Sequence, residues 1–274
     1  MWLLKASGDK EGFVQDSSFV LKQNDEIYDT FYMQIYDELY IPSKHVKKIS
    51  NTIVKYRYRK SDLLLLVCIT GDQAKSLQTY FDNVYMINSS KDAVSYMKTK
   101  YPTLAKNIKY DDLRRSMNYE ENSLTFVVFT QFCIYKYPEI SRQIIFENMN
   151  RWLVEHGMVF IELVEPHQFD TVLPIASNYF DLQKHASKRI MQNEVDFQAF
   201  SYTNSFTFKD SNLLVTETFV DKKTKFIRKN EQVFYMLPIE KMVKEFLTYG
   251  FIAKGRITIT KNSKYIYVFQ KKNK

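Results

Sequence analysis

The sequence predicts an α/β protein built on a mainly parallel sheet with helices on both faces. Three observations predict it. Apolar runs of strand length alternate with amphipathic stretches of helical period between residues 63 and 164. The run Leu63-Leu-Leu-Leu-Val67 is apolar throughout, as expected of a strand buried on both faces. At 274 residues and 45% hydrophobic, the chain is long enough to bury a full core. Alternating strands and helices joined by right-handed crossovers put helices on the two faces of such a sheet.

The elements follow in order. Residues 1–24 mix polar and apolar positions without clear period, so they are expected to form an N-terminal arm, with one large domain over 25–274. Ile27, Phe31, Ile35 and Leu39 recur at fourfold spacing, with acidic residues near the start, and predict a helix ended by Pro42. A second helix is expected over 45–54, before the Leu63 strand. Then come a helix over 74–80, a strand over 84–87, a helix over 91–101 closed by Pro102, and a strand over 108–110. Residues 123–134 read as one long strand, 141–156 as a helix stopped by Gly157, and 158–164 as a strand. The last third changes character: 197–208, 213–220 and 225–234 alternate as antiparallel strands, with a turn at 221–224, and make an insertion around 197–234. A helix over 238–249 has proline in its first turn and Gly250 just past its end, and a hairpin closes the chain around 261–264.

Composition narrows the function classes. Twenty Tyr and 21 Phe make the chain 16% aromatic, while only 6 Gly leave few places where a ligand can reach bare backbone. The net charge of +8 permits attraction to nucleic acid, an anionic membrane or an acidic protein. Its basic clusters, near Lys55 and Lys225 and at residues 271–274, are short, and a solvated basic surface explains them as well. Tyr56, Tyr58 and Phe226 are interleaved with the first two, which makes nucleic acid a candidate partner. No apolar stretch approaches the roughly 20 residues of a membrane span, and no secretory apolar centre follows the first residues, so an intracellular protein is expected. Cys68 and Cys133 lie in apolar runs and read as reduced core residues. Histidines 45, 156, 167 and 185 are scattered and form no zinc pattern.

The segment from Asp62 to Leu77 has the form of a strand, a ligand-binding loop and a helix. A nucleotide or nucleoside approaches such a loop where side chains are absent, so two or three glycines are expected there. Only Gly71 is present; Val67 and Ile69 are β-branched and bulky. Read alone, this is a buried strand whose following helix Thr70 or Asp72 could cap.

From Tyr28 to Gln270 the order of elements resembles the Rossmann-like class I S-adenosylmethionine-dependent methyltransferases. Residues 28–39 resemble the first helix of that family, 123–128 its fourth strand, and 148–161 the helix, turn and strand that usually carry a Leu-x-Pro-Gly-Gly bend. Residues 228–236, 249–252 and 265–270 resemble the tail of a branch found in large DNA viruses. The resemblance puts the family's acid-hydrophobic-Gly-x-Gly-x-Gly motif on residues 65–71, where the acid and two glycines are replaced. It puts the ribose-binding carboxylate on Asn88 and the adenine-contacting Asp on Asp112, and it leaves aromatic residues 131–137 near the acceptor substrate. No catalytic residue is recognisable among them.

On this resemblance the expected protein is a degenerate, non-catalytic member: a structural or interaction component without a cofactor, in a virion or as the noncatalytic subunit of an RNA-modifying assembly. A protein partner or homo-oligomer and a host-cytoplasmic or virion location follow from the same reading. The alternative is an active methyltransferase that binds S-adenosylmethionine through Gly71, Asn88 and Asp112, with substrate near residues 132–135.

Overall fold

The computed structural model describes residues 15–40, 43–59, 63–67, 69–169, 192–210, 212–260 and 264–273. Pro42, Cys68, His185, residues 1–14 of the arm and the turn at 261–263 lie outside the described residues. Contacts group the chain into two compact units, one from residues 1–42 and 170–234, the other from 43–169 and 235–274.

Residues read as the end of the arm form strand β1 (Phe19–Gln23), followed by a 3-10 turn over Asn24–Ile27. Helix α1 (Thr30–Tyr40) begins later than the acidic residues suggested, because Asp29 caps it: its Oδ1 accepts the Tyr32 N–H at 3.1 Å. The second unit opens with α2 (Ser43–Val54) and continues as β2 (Leu63–Val67), α3 (Asp72–Gln78), β3 (Asn83–Asn88), α4 (Lys91–Lys100) and β4 (Ile108–Tyr110). Strand β5 (Leu124–Phe129), helix α5 (Glu139–Trp152) and strand β6 (Leu153–Val164) complete its first part.

Two boundaries that depart further from the sequence expectation do so for a local reason. The long strand expected over 123–134 stops at Phe129, since Gln131 and Phe132 both take φ near +56° and turn the chain out of the sheet. The helix expected to reach His156 stops at Trp152. There the Asn122 and Ser123 amides bind the Arg151 and Trp152 carbonyls at 3.0 and 2.8 Å, and the chain runs straight into β6, with Gly157 inside the strand.

The first unit resumes with β7 (Gln192–Asp196), β8 (Phe200–Lys209), β9 (Asn212–Asp221) and β10 (Ile227–Tyr235). They pair in the order β1-β10-β9-β8-β7, with β1 parallel to β10 and the β7–β8 and β8–β9 pairs antiparallel. The β9–β10 turn is set by Asp221, whose Oδ1 accepts the Lys223 and Thr224 amides at 2.8 and 2.6 Å. Helix α1 contributes Phe31 to this unit's core, edge-on to Phe219 at 5.4 Å and to Phe200 at 6.1 Å.

The chain closes the second unit with α6 (Ile239–Thr248), β11 (Phe251–Thr260) and β12 (Lys264–Lys271). Gly250, past the end of α6, takes φ +82°, a left-handed turn that a side chain would strain. The strands order as β11-β12-β6-β5-β2-β3-β4, parallel from β6 to β4, with β12 antiparallel to both β6 and β11. Leu64, Leu65 and Leu66 are fully buried, which requires cover on both faces. Right-handed crossovers supply it: β2 to β3 to β4 steps one way and β5 to β6 the other, so α3 and α4 lie opposite α5. Among the described residues no helix is long and apolar enough to cross a membrane.

Candidate functional site

The direction of strand progression reverses between β2 and β5, which pair in parallel from Leu64↔Phe126 to Val67↔Phe129. A crevice forms above the carboxyl ends of strands at such a switch point, and open α/β sheets bind their ligands there. Gly71, Asn88 and Asp112 follow the carboxyl ends of β2, β3 and β4, three neighbours on one side of the reversal.

Gly71 sits at the start of α3 with φ −86° and ψ −1°, a conformation open to any residue. Its lack of a side chain answers a different need. A Cβ built there would stand 2.3 Å from Cε2 of Tyr101, so the space is filled by the protein's own ring. The Tyr101 hydroxyl donates to Asp72, and Lys100 lies 5.3 Å from the centre of the same ring. Gly71→Ala is therefore expected to lower stability by about 1–3 kcal/mol, an overpacking effect. Adding Tyr101→Leu should return part of that loss in thermal unfolding; equal melting of the single and double variants would show that the ring is not the obstacle.

Val67 and Ile69 are each 4% exposed, and the Ile69 amide donates to Gln131 Oε1 at 2.7 Å. Asn88 ends β3. Its Oδ1 accepts the Ser90 amide at 2.8 Å, and Ser90 caps α4 through the Ala93 amide at 3.2 Å. The Asn88 carbonyl accepts the Asp111 amide at 3.2 Å, which ties the β3 and β4 ends together. Asp112 is held by Arg114, whose Nε lies 3.0 and 2.9 Å from its two oxygens. That charge-assisted pair holds the carboxyl below its ordinary range, so its contribution to stability is present at neutral pH and fades in acid as the carboxyl takes up its proton.

The loop after β5 holds what the sequence reading missed. Gln131 and Phe132 sit side by side in the left-handed region, at about 1–2 kcal/mol each for non-glycine residues. Hydrogen bonds hold them there. The Thr130 amide donates to the Val67 carbonyl at 3.1 Å, the Gln131 amide to Glu162 Oε2 at 2.7 Å, and the Gln131 side chain accepts from Ile69. Glu162 is 2% exposed. A carboxylate within the apolar run 158–164 was its sequence signal. Thr130 Oγ1 is buried and has no hydrogen-bond partner among the described residues, a group a ligand or water at this crevice would satisfy. Of the aromatic residues expected near substrate, Tyr135 is fully buried and its hydroxyl donates to the Val164 carbonyl at 3.1 Å, while Phe132 is half-buried, 5.3 Å from the Phe169 ring.

The basic clusters are partly engaged at home. Lys222 pairs with Asp196 at 2.7 Å, Lys229 with Glu231 at 2.6 Å, and Lys271 binds the Leu153 carbonyl at 2.7 Å.

The Thr130 hydroxyl after β5 and the Asn88 amide at the end of β3, with β2 between them, suit a nucleoside-type ligand. The β2 loop does not provide a bare cradle, because the Tyr101 ring fills the space at Gly71 and Gln131 accepts the Ile69 amide; after β4, Arg114 already holds Asp112.

No protein-family model matches the chain, and no curated protein matches it. Solved structures do. An S-adenosylmethionine-dependent methyltransferase from Clostridium acetobutylicum ATCC 824 is 14% identical, with a TM-score of 0.66 over 88% of this chain and 97% of that one. The CcbJ methyltransferase from Streptomyces caelestis is 10% identical, with a TM-score of 0.68 over 91% and 100%. CalS10, an amino pentose methyltransferase from Micromonospora echinaspora solved with S-adenosylmethionine bound, is 14% identical, with a TM-score of 0.61 over 84% and 92%. The last corrects the expectation that this scaffold goes without a cofactor, which was drawn from the missing acid and two glycines of the motif, the branched Val67 and Ile69, and Asn88 in place of a carboxylate: a protein of the same fold binds one. At these identities the likeness speaks to fold, and the chain has the Rossmann-like methyltransferase fold, a mostly parallel mixed sheet with helices and antiparallel C-terminal strands.

Proposed function

We propose that the chain binds S-adenosylmethionine at the β2–β5 switch point and serves methyl transfer. The observation that carries this reading is the strand order, whose reversal opens a crevice where Thr130 holds a buried hydroxyl with no hydrogen-bond partner among the described residues. The bound sulfonium would supply an already activated methyl group, so this chain's task is to hold and orient. Asn88 would meet the ribose at the end of β3. Its amide is a weaker acceptor than a carboxylate, so modest affinity is expected.

Titration of the full chain with S-adenosylmethionine by calorimetry tests the reading. Saturable binding that Asn88→Ala weakens about tenfold is expected, from the loss of about 1.4 kcal/mol of hydrogen bonding. No heat and no thermal shift at millimolar ligand would sink it.

A second reading is favoured by the internal contacts of Gln131 and Arg114: a protein that keeps the fold for binding rather than turnover, as a virion component or as the noncatalytic subunit of an RNA-modifying assembly. Its mark is the absence of methyl transfer to any nucleic acid or protein extract supplied.

A further inference from the structure

A cleft of about 500 Å³ opens beside β4, the edge strand of the seven-stranded sheet. Leu63 and Leu124, the first residues of β2 and β5, form part of its wall, and Gly71, Asn88, Asp112, Thr130, Gln131 and Glu162 take no part in it. It is therefore separate from the switch-point crevice.

Three lysines line the cleft from three elements: Lys98 from α4, Lys106 from the 3-10 turn over Pro102–Asn107, and Lys109 from β4. Glu120 is the one carboxylate in its lining. Among the described residues, Lys98 and Lys106 form no ion pair. Lys109 is oriented by Asn118, whose carbonyl and Oδ1 accept from it at 3.3 and 3.1 Å; it lies 5.8 Å from the centre of the Tyr119 ring and 3.5 Å from Asp111. Protection of an edge strand needs a lysine on the strand itself, as Lys109 is, and gives no reason for two more to approach from α4 and the turn.

Rings accompany the charge. Tyr119 is packed edge-on between Tyr85 at 6.4 Å and Trp152 at 5.3 Å, which fixes it as a rigid wall. Tyr110, the last residue of β4, lines the same cleft and is 57% exposed. The cleft has the volume of a small-molecule site, and lysines next to an open ring match a ligand that joins an anion to a flat base.

We propose that this cleft binds a nucleotide, free or within a single strand of nucleic acid, with its phosphate held by Lys98, Lys106 and Lys109 and its base laid on Tyr110. The site is independent of methyl transfer and stands if that reading fails. A phosphate alone would use the lysines. The ring adds the selection for a base.

The test uses the full chain, a fluorescein-labelled short single-stranded RNA read by anisotropy, and adenosine and uridine monophosphates as competitors. Lys98→Ala/Lys106→Ala should weaken RNA binding about tenfold or more and lower the salt slope by about 2. Tyr110→Ala, at an exposed position, should weaken nucleotide binding about tenfold while leaving inorganic phosphate binding unchanged. Competition by the mononucleotides assigns the site to free nucleotide, and RNA binding without it assigns the site to a strand; both support the proposal. It is overturned if neither probe binds, or if Lys241→Ala/Lys244→Ala on the exposed side of α6 weakens RNA binding as much as the cleft variant does.

Discussion

Arg228→Ala is expected to lower the stability of the unit that contains β7–β10 by about 3–5 kcal/mol. Arg228 is 5% exposed and uses its whole guanidinium. Nε donates to Asn230 Oδ1 at 2.9 Å, Nη1 to both oxygens of Asp29 at 2.9 and 2.7 Å, and Nη2 to the Ile27 carbonyl at 2.9 Å. The group also lies 5.1 Å from the centre of the Phe31 ring. Asn230 continues the chain of bonds to Glu217, which accepts from the Tyr202 hydroxyl at 2.9 Å. Truncation leaves Asp29 beside an apolar core without its counter-charge and removes a hydrogen bond from Asn230, and unmade polar bonds in such a place are the main loss. Urea unfolding should show a lower midpoint, with loss of near-ultraviolet aromatic signal. Arg228→Lys should recover little of it, because an ammonium cannot serve Asn230, Asp29 and Ile27 together. An unchanged midpoint for the alanine variant would mean that this network is dispensable.

Arg142→Ala is the second large effect, about 3–5 kcal/mol, and it differs in being repairable. Arg142 of α5 is 2% exposed and forms a forked pair with Glu245 of α6, with Nε and Nη2 each 3.1 Å from a carboxylate oxygen, while Nη1 donates to the Tyr137 carbonyl at 2.9 Å. One residue on from Glu245, Phe246 stacks on Phe269 with centroids 4.3 Å apart and meets Phe146 in a tilted contact at 4.1 Å. Removing one charge strands the other in that surrounding. Removing both with similar volume, as in Arg142→Met/Glu245→Met, should cost under about 1.5 kcal/mol or stabilise, since ion desolvation is removed together with ion attraction. A double variant that melts as low as the single one would mean that the pair is needed for shape rather than charge balance.

The elements whose burial follows from sequence period were legible. Leu63–Val67 is the two-faced central strand that its apolar run required, and Ile108–Tyr110 has the bounds read from sequence. Failures came where long-range hydrogen bonds override local pattern. Nothing in residues 123–134 announces that Gln131 and Phe132 will be held left-handed, because the restraint comes from Glu162, 31 residues on, and from Ile69, 62 residues back. Helix α5 ends early because of amides at Asn122 and Ser123, which its own sequence does not contain. At the candidate site, the sequence placed Gly71, Asn88 and Asp112 after three neighbouring strands. It could not show that Tyr101 and Arg114 were already in contact with the first and the last of them.

The ring of Tyr101 over Gly71 also sets the terms for anyone who would re-engineer this loop. Putting glycine at positions 67 and 69 alone would enlarge the wrong part of it, since the motif's one surviving glycine is walled from the side by Tyr101 and the Ile69 amide already has an acceptor in Gln131. A redesign aimed at tight cofactor affinity has to begin with residues 101 and 131, which stand outside the motif.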